Sequence, residues 1–131
     1  MIVLVVDDDQ AVLKMAERRL KREFNGREFV FFFVDSAQSA LKLVEGLRDK
    51  QSELPGIAIL DGNLTGRTGD CQERIDLCRD LKDLAPNLKV ISHTATGARF
   101  GDVSIQKDNK SWGDVMQAIR RLMDKKAAAG A

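Results

Sequence analysis

Apolar and polar positions alternate in blocks along the chain. Residues 2–6, IVLVV, form an unbroken β-branched and leucine run, the pattern of a strand buried on both faces. Over 10–24, Val12, Ala16, Leu20 and Phe24 recur at helical spacing, with Leu13 beside them, which predicts an amphipathic helix. EFVFFFV (28–34) reads as a second strand, and Asp35 or Ser36 can cap a helix whose apolar stripe is Ala37, Ala40, Leu41, Val44 and Leu47. LPG (54–56) breaks the chain before a third strand, IAIL (57–60). A polar loop with Gly62, Gly66 and Gly69 leads to a helix at about 71–85, with Cys71, Ile75, Cys78, Leu81 and Ala85 on one face. LKVIS (88–92) and VSI (103–105) read as the fourth and fifth strands, and 111–126 as a last helix carrying Trp112, Val115, Met116, Ile119, Leu122 and Met123.

The order βαβαβαβ–βα predicts a doubly wound, five-stranded parallel sheet with helices on both faces. One crossover is short. Six residues separate Thr96 from Val103, fewer than the ~7 of two helical turns, so a fourth helix there is short or absent. The domain is expected to span 1–126, with 127–131 a frayed, disordered tail.

With 131 residues the chain is expected to form one domain with a core of its own. Lys plus Arg number 21 against 20 Asp plus Glu, so the net charge of +1 gives no electrostatic footprint for nucleic acid. MIVLVV is too short for a signal peptide or a membrane span, and a cytoplasmic location is the default expectation. Cys71 and Cys78 on one helix would lie ~10.5 Å apart along its axis, beyond disulfide reach. They read as small core residues.

Ligands of open parallel sheets bind outside the carboxyl ends of the strands. Strand one ends in Asp7, Asp8 and Asp9, strand three in Asp61, strand four runs into Thr94 and strand five into Lys107. Clustered carboxylates repel, and a cation relieves them. Oxygen ligands with positions left for water suit Mg2+. A metal, an ammonium and a hydroxyl around one remaining carboxylate suit a phosphoryl group, with Asp61 as the nucleophile that forms an acyl phosphate.

In VLVVDDD, IAILDGN, VISHTAT and SIQK the chain resembles the receiver domain of two-component response regulators, over about 1–125. The resemblance implies a flavodoxin-like sheet of order 2-1-3-4-5 and a stand-alone phosphorelay switch. Asp61 would take a phosphoryl group from a phosphohistidine on a histidine kinase or phosphotransfer protein. Asp8 and Asp61 would bind Mg2+ directly, Asp7 mainly through water, and Asn63 through its backbone carbonyl, its side chain facing the phosphoryl group. Thr94, with the Ala95 backbone N–H nearby, would bond that group and move on activation. Lys107 would pair with the phosphate, and Thr96 would tune its loss. Output is expected through contact with an unknown downstream protein, with neither nucleic acid nor membrane as partner, and with no enzyme activity beyond slow self-phosphorylation and dephosphorylation.

The pattern also departs from that family. Asp108 replaces the proline after the lysine, Ser104 the aromatic three residues before it, and Thr65 the proline four residues after the phosphoacceptor. The loop after Asp61 is longer than usual. These departures leave the phosphorylation site intact while the output face is rebuilt, and the missing aromatic at Ser104 with the short fourth crossover motivates a phosphorylation-independent scaffold as one alternative. LDGNLT also resembles haloacid-dehalogenase-like phosphatases, although Asn63 stands where their second acid belongs.

Bland readings set the other residues aside. Asp9 is a helix cap. Lys110 rivals Lys107, but SIQ directly precedes Lys107. His93 is a packed strand residue, turned away from the site by strand alternation. Trp112 belongs to the core.

Overall fold

A computed structural model describes residues 1–24, 29–61, 72–94, 101–108 and 111–130. Its elements in chain order are β1 (Ile2–Val6), α1 (Gln10–Glu23), β2 (Val30–Val34), α2 (Ala37–Asp49), β3 (Pro55–Asp61), α3 (Gln72–Leu84), β4 (Lys89–Thr94), β5 (Val103–Gln106) and α4 (Ser111–Gly130). All pairings are parallel, and the strand order is β2-β1-β3-β4-β5.

Strand alternation divides the core into two layers. Val3, Val5, Ile57, Ile59 and Ile91 face α1 and α4, against Leu13, Ala16, Leu20, Trp112, Val115 and Ile119. Leu4, Val6, Ala58, Leu60 and Val90 face α2 and α3, against Ala40, Val44, Leu77 and Leu81. β1 is buried along its whole length, which is why it carries no alternation of its own. Asp9 caps α1 by accepting from the N–H groups of Ala11 at 2.9 Å and Val12 at 3.4 Å, and Ser36 caps α2 by accepting from Ser39 N–H at 3.1 Å.

The structure corrects several boundaries. β3 begins at Pro55, because proline is tolerated at the first residue of a strand. β3 and β4 also run further than expected at their carboxyl ends, to Asp61 and Thr94, so both residues belong to the ladder. The last helix continues through Gly130, as an alanine-rich stretch allows.

The buried face of α3 differs from the expected one. Arg74, Leu77, Leu81 and Ala85 are buried, Cys78 is half-buried, and Ile75 is 44% exposed. Residues 75 and 77 sit about 200° apart around a helix. Leu77 and Leu81, one turn apart, set the packed face and leave Ile75 outside. Among the described residues no helix lies between β4 and β5, and residues 95–100 of that crossover are outside the description.

The start of β4 is clamped by its neighbour. Asp102 N–H donates to Val90 O at 2.8 Å, Val90 N–H donates to the Asp102 carboxylate at 2.8 Å, and Lys82 of α3 pairs with that carboxylate at 2.9 Å. Burial works to raise the Asp102 pKa, but the bonds from Lys82 and Val90 outweigh it and hold the group below the usual range. Gly101 makes this approach possible. Its φ is +81°, and a Cβ there would stand 2.8 Å from Val90 Cγ1.

Candidate functional site

β1 and β3 are neighbours, so their carboxyl ends bring Asp7, Asp8 and Asp61 to one rim. One carboxylate oxygen from each lies within 4.8 Å of the others. Asp7 and Asp61 are buried, at 3% and 5% exposure, and Asp8 is exposed. β5 delivers Lys107 from the far side of β4. Its Nζ donates to Asp7 Oδ2 at 2.7 Å and to Asp61 Oδ1 at 3.1 Å. The other Asp7 oxygen accepts from Asp9 N–H at 2.9 Å. The Lys107 backbone N–H donates to Thr94 O at 2.7 Å, which ties the lysine to the end of β4.

Three carboxylates lie against one ammonium, and burial weighs first on the proton affinities of Asp7 and Asp8. Burial pushes Asp7 up, and the bonds from Lys107 and Asp9 N–H only partly oppose it, with the Asp61 charge adding to the rise. Asp8 is raised by its limited burial and by sharing a hydrogen bond with Asp61. Lys107 is raised as well: burial opposes its charge, but the bonds and charges of Asp7 and Asp61 more than compensate. The partners differ because one ammonium is fully served by two carboxylates, whereas each carboxylate has only a share of one ammonium.

The donor set fits a hard divalent cation. All three ligand atoms are carboxylate oxygens, they converge, and the exposed Asp8 side leaves room for water. Three carboxylates outnumber the one ammonium, and such an ion would relieve that excess of negative charge.

Behind this rim lies a second polar cluster. His93 sits beside Asp61 across the β3–β4 ladder and is 2% exposed. Its ring packs edge-on against Trp112, with centroids 5.0 Å apart, and its Nε2 lies 2.8 Å from Ser111 Oγ. Ser111 Oγ in turn donates to Asp108 O at 2.9 Å and accepts from Asp108 N–H at 3.1 Å. The Ser111 hydroxyl thus joins the His93 ring to the backbone of Asp108. Burial, with the Lys107 charge adding to it, pushes the His93 pKa down to about 4, so the ring is neutral at pH 7. The turn after Lys107 is therefore held by Ser111 and His93. Among the described residues no peptide bond is cis, that between Lys107 and Asp108 included.

The structure thus brings Asp7, Asp8, Asp61 and Lys107 together and puts Thr94, 1% exposed, at the adjoining strand end. Asn63, Ala95, Thr96, Lys110, Cys71 and the loop from Gly62 to Gly69 lie outside the described residues. His93 and Trp112 are packed as expected. Ser104 stands on β5, where Ser92 Oγ donates to its hydroxyl at 2.9 Å. Sequence reading missed Ser111, whose hydroxyl links two distant segments, and Arg74, buried to 1% exposure. The signal for Arg74 was its phase, three residues before Leu77 and seven before Leu81.

No protein-family model matches the chain, and no curated protein does. Solved structures do. A response regulator receiver protein from Sinorhizobium medicae superposes with a TM-score of 0.67 at 16% identity, over 95% of this chain and 94% of that one. A two-component response regulator from Legionella pneumophila gives 0.64 at 16% identity, over 95% and 98%. The Mn2+-bound form of another response regulator gives 0.61 at 14% identity, over 82% and 81%. At these identities the likeness is one of fold, and it agrees in strand order with the sheet described above: the chain has the fold of response regulator receiver domains.

Proposed function

We propose that the chain is a phosphoacceptor receiver domain of a two-component phosphorelay. In this reading Asp61 takes a phosphoryl group from a phosphohistidine on a histidine kinase or phosphotransfer protein, and the domain signals by contact with a downstream protein. The observation that carries it is the convergence on Asp61 of two further carboxylates and the Lys107 ammonium, on the fold of receiver domains.

Asp61 lies at the end of β3 with one oxygen engaged by Lys107. A free carboxylate oxygen attacks the phosphorus of the donor. A P–O bond forms, the P–N bond breaks, and the imidazole leaves with its electron pair and takes a proton. Lys107 neutralises charge as it spreads onto the phosphoryl oxygens. Asp7 holds Lys107 from the other side, which fixes the ammonium between two acids. Mg2+ held by Asp7, Asp8 and Asp61, with the Asn63 carbonyl, would supply the remaining neutralisation. Thr94 and the Ala95 N–H would bond the phosphoryl group, and Thr96 would govern its hydrolysis. The chain would turn over slowly at most. Among the described residues no helix is long and apolar enough to cross a membrane, and the proposed site of action is the cytoplasm.

Incubation with Mg2+ and acetyl phosphate should add one phosphoryl group per chain by intact mass, and the Asp61→Asn variant should gain none. If neither acetyl phosphate nor beryllofluoride produced an adduct or a spectral change, the phosphoacceptor reading would be lost. The serine pair of Ser92 and Ser104, at the position where the family often has an aromatic, favours a second reading as a phosphorylation-independent scaffold. Partner binding by Asp61→Asn as tight as by the phosphorylated chain would select it.

A further inference from the structure

The sheet has a self-complementary edge. β2 is the outermost strand on one side, and among the described residues no strand pairs with its outer face. Its sequence, Val30-Phe31-Phe32-Phe33-Val34, reads the same in both directions. Exposed edges are normally blunted by lysine, proline or a bulge. Residues 29–34 contain no charge and no proline, and the β1–β2 register is unbroken from Val30 to Val34.

Hydrogen bonding fixes which backbone groups face outward. Val30 N–H donates to Met1 O at 3.0 Å, and Val34 O accepts from Asp7 N–H at 3.1 Å. Residues 30, 32 and 34 therefore direct their backbone groups to β1, and by alternation Phe31 and Phe33 direct theirs to the open edge. Side chains are divided in the other sense. Phe31 and Phe33 stack 6.3 Å apart on the α1 face, continuing a series with Phe24 and Phe29, while Phe32 packs on the α2 face. Val30 is 49% exposed, although it belongs to a strand of otherwise half-buried residues.

We propose that two copies of this chain associate through β2, antiparallel about a two-fold axis at Phe32, to form one continuous ten-stranded sheet. The symmetry supports a second copy of this chain as the occupant. With Phe32 opposite the partner's Phe32, Phe31 falls opposite the partner's Phe33, and Val30 opposite the partner's Val34. Phe31 and Phe33 are the residues whose N–H and C=O groups point outward. They form the hydrogen-bonded pairs of the new ladder, and Phe32 forms the non-bonded pair at the axis, with Cβ atoms about 5 Å apart. A palindromic strand satisfies both the backbone and the side-chain pairing in that one register, and an isologous contact closes after two copies. The contact is one strand wide, at the small end of specific interfaces, so a Kd of order 10–100 µM is expected. It leaves the carboxylate rim uncovered by the partner's β2.

Sedimentation of the full chain from about 1 µM to about 1 mM should follow a monomer–dimer equilibrium. In the same range the amide protons of Phe31 and Phe33 should become protected from exchange, while those of Val30 and Val34 are protected throughout. Phe32→Lys and Phe32→Glu should each be monomeric with unchanged far-ultraviolet circular dichroism, and an equimolar mixture should recover a one-to-one dimer. A chain that stays monomeric to millimolar concentration overturns the proposal. So does a dimer whose Phe31 and Phe33 amides exchange freely. Should either variant fail to fold, the exchange measurement on the unaltered chain decides alone.

Discussion

Two buried polar clusters sit side by side at the ends of β3 and β4, and they solve burial in opposite ways. Asp7 and Asp61 both lean on the Lys107 ammonium, and the account does not balance, since a third carboxylate, Asp8, shares the same rim. His93 is neutral and bonds Ser111, which in turn bonds the backbone of Asp108. The first arrangement holds a surplus of negative charge, which is what a cation site requires. The second is a satisfied network that fixes the turn carrying Lys107. One cluster is left with unbalanced charge, and the other is closed.

Changes at the charged cluster should have the largest effect. Lys107→Ala leaves two buried carboxylates without a cation and should lower unfolding free energy by about 3 kcal/mol in urea titrations. Mg2+ should restore part of that loss. If the variant were as stable as the parent, the ion pairs of Lys107 would carry no net weight.

The two clusters should also respond oppositely to acid. The His93 pKa falls from 6.5 in the unfolded chain to about 4 in the fold. Its contribution is present above pH 6.5 and is lost as pH falls towards 4, because the unfolded state binds the proton first. The loss is up to about 3 kcal/mol. In His93→Leu the slope of stability against pH in this window should be shallower by up to about one proton. For Asp7 and Asp8 the fold favours the protonated form, so acid relieves them instead. An unchanged slope in His93→Leu would mean that the ring is not held neutral.

Divalent cation should act on the charged cluster alone. Mg2+ at 100 times its Kd should raise stability by about 2.7 kcal/mol, read as a rise in Tm. Asp8→Asn should remove most of that response, and His93→Leu should keep it. The smallest effect belongs to Ser111→Ala, which opens one hydrogen-bonded link and should cost about 1 kcal/mol, with the Mg2+ response intact.

Much of this was legible in the chain. The block alternation of IVLVV and the helical stripes determined a parallel sheet, because burial on both faces demands continuous apolar strands between amphipathic helices. Acids and a lysine at strand ends pointed to the rim, because strand ends in such a sheet share one edge. Asp9 declared itself as a cap by chemistry local to a few residues, and the choice between Asp35 and Ser36 was left to the structure, which takes Ser36. Contacts between distant segments were not legible. Which face α3 buries was decided by packing on α2 and the sheet, and it left Ile75 in solvent and Arg74 inside. That Ser111 completes His93, that Asp102 closes on Val90 over Gly101, and that Lys107 stands between Asp7 and Asp61 rather than beside one of them depends on distances across the sheet. Periodicity records how each element meets the core. It carries no record of which residues from separate elements meet each other, and those meetings set the charge balance of the site.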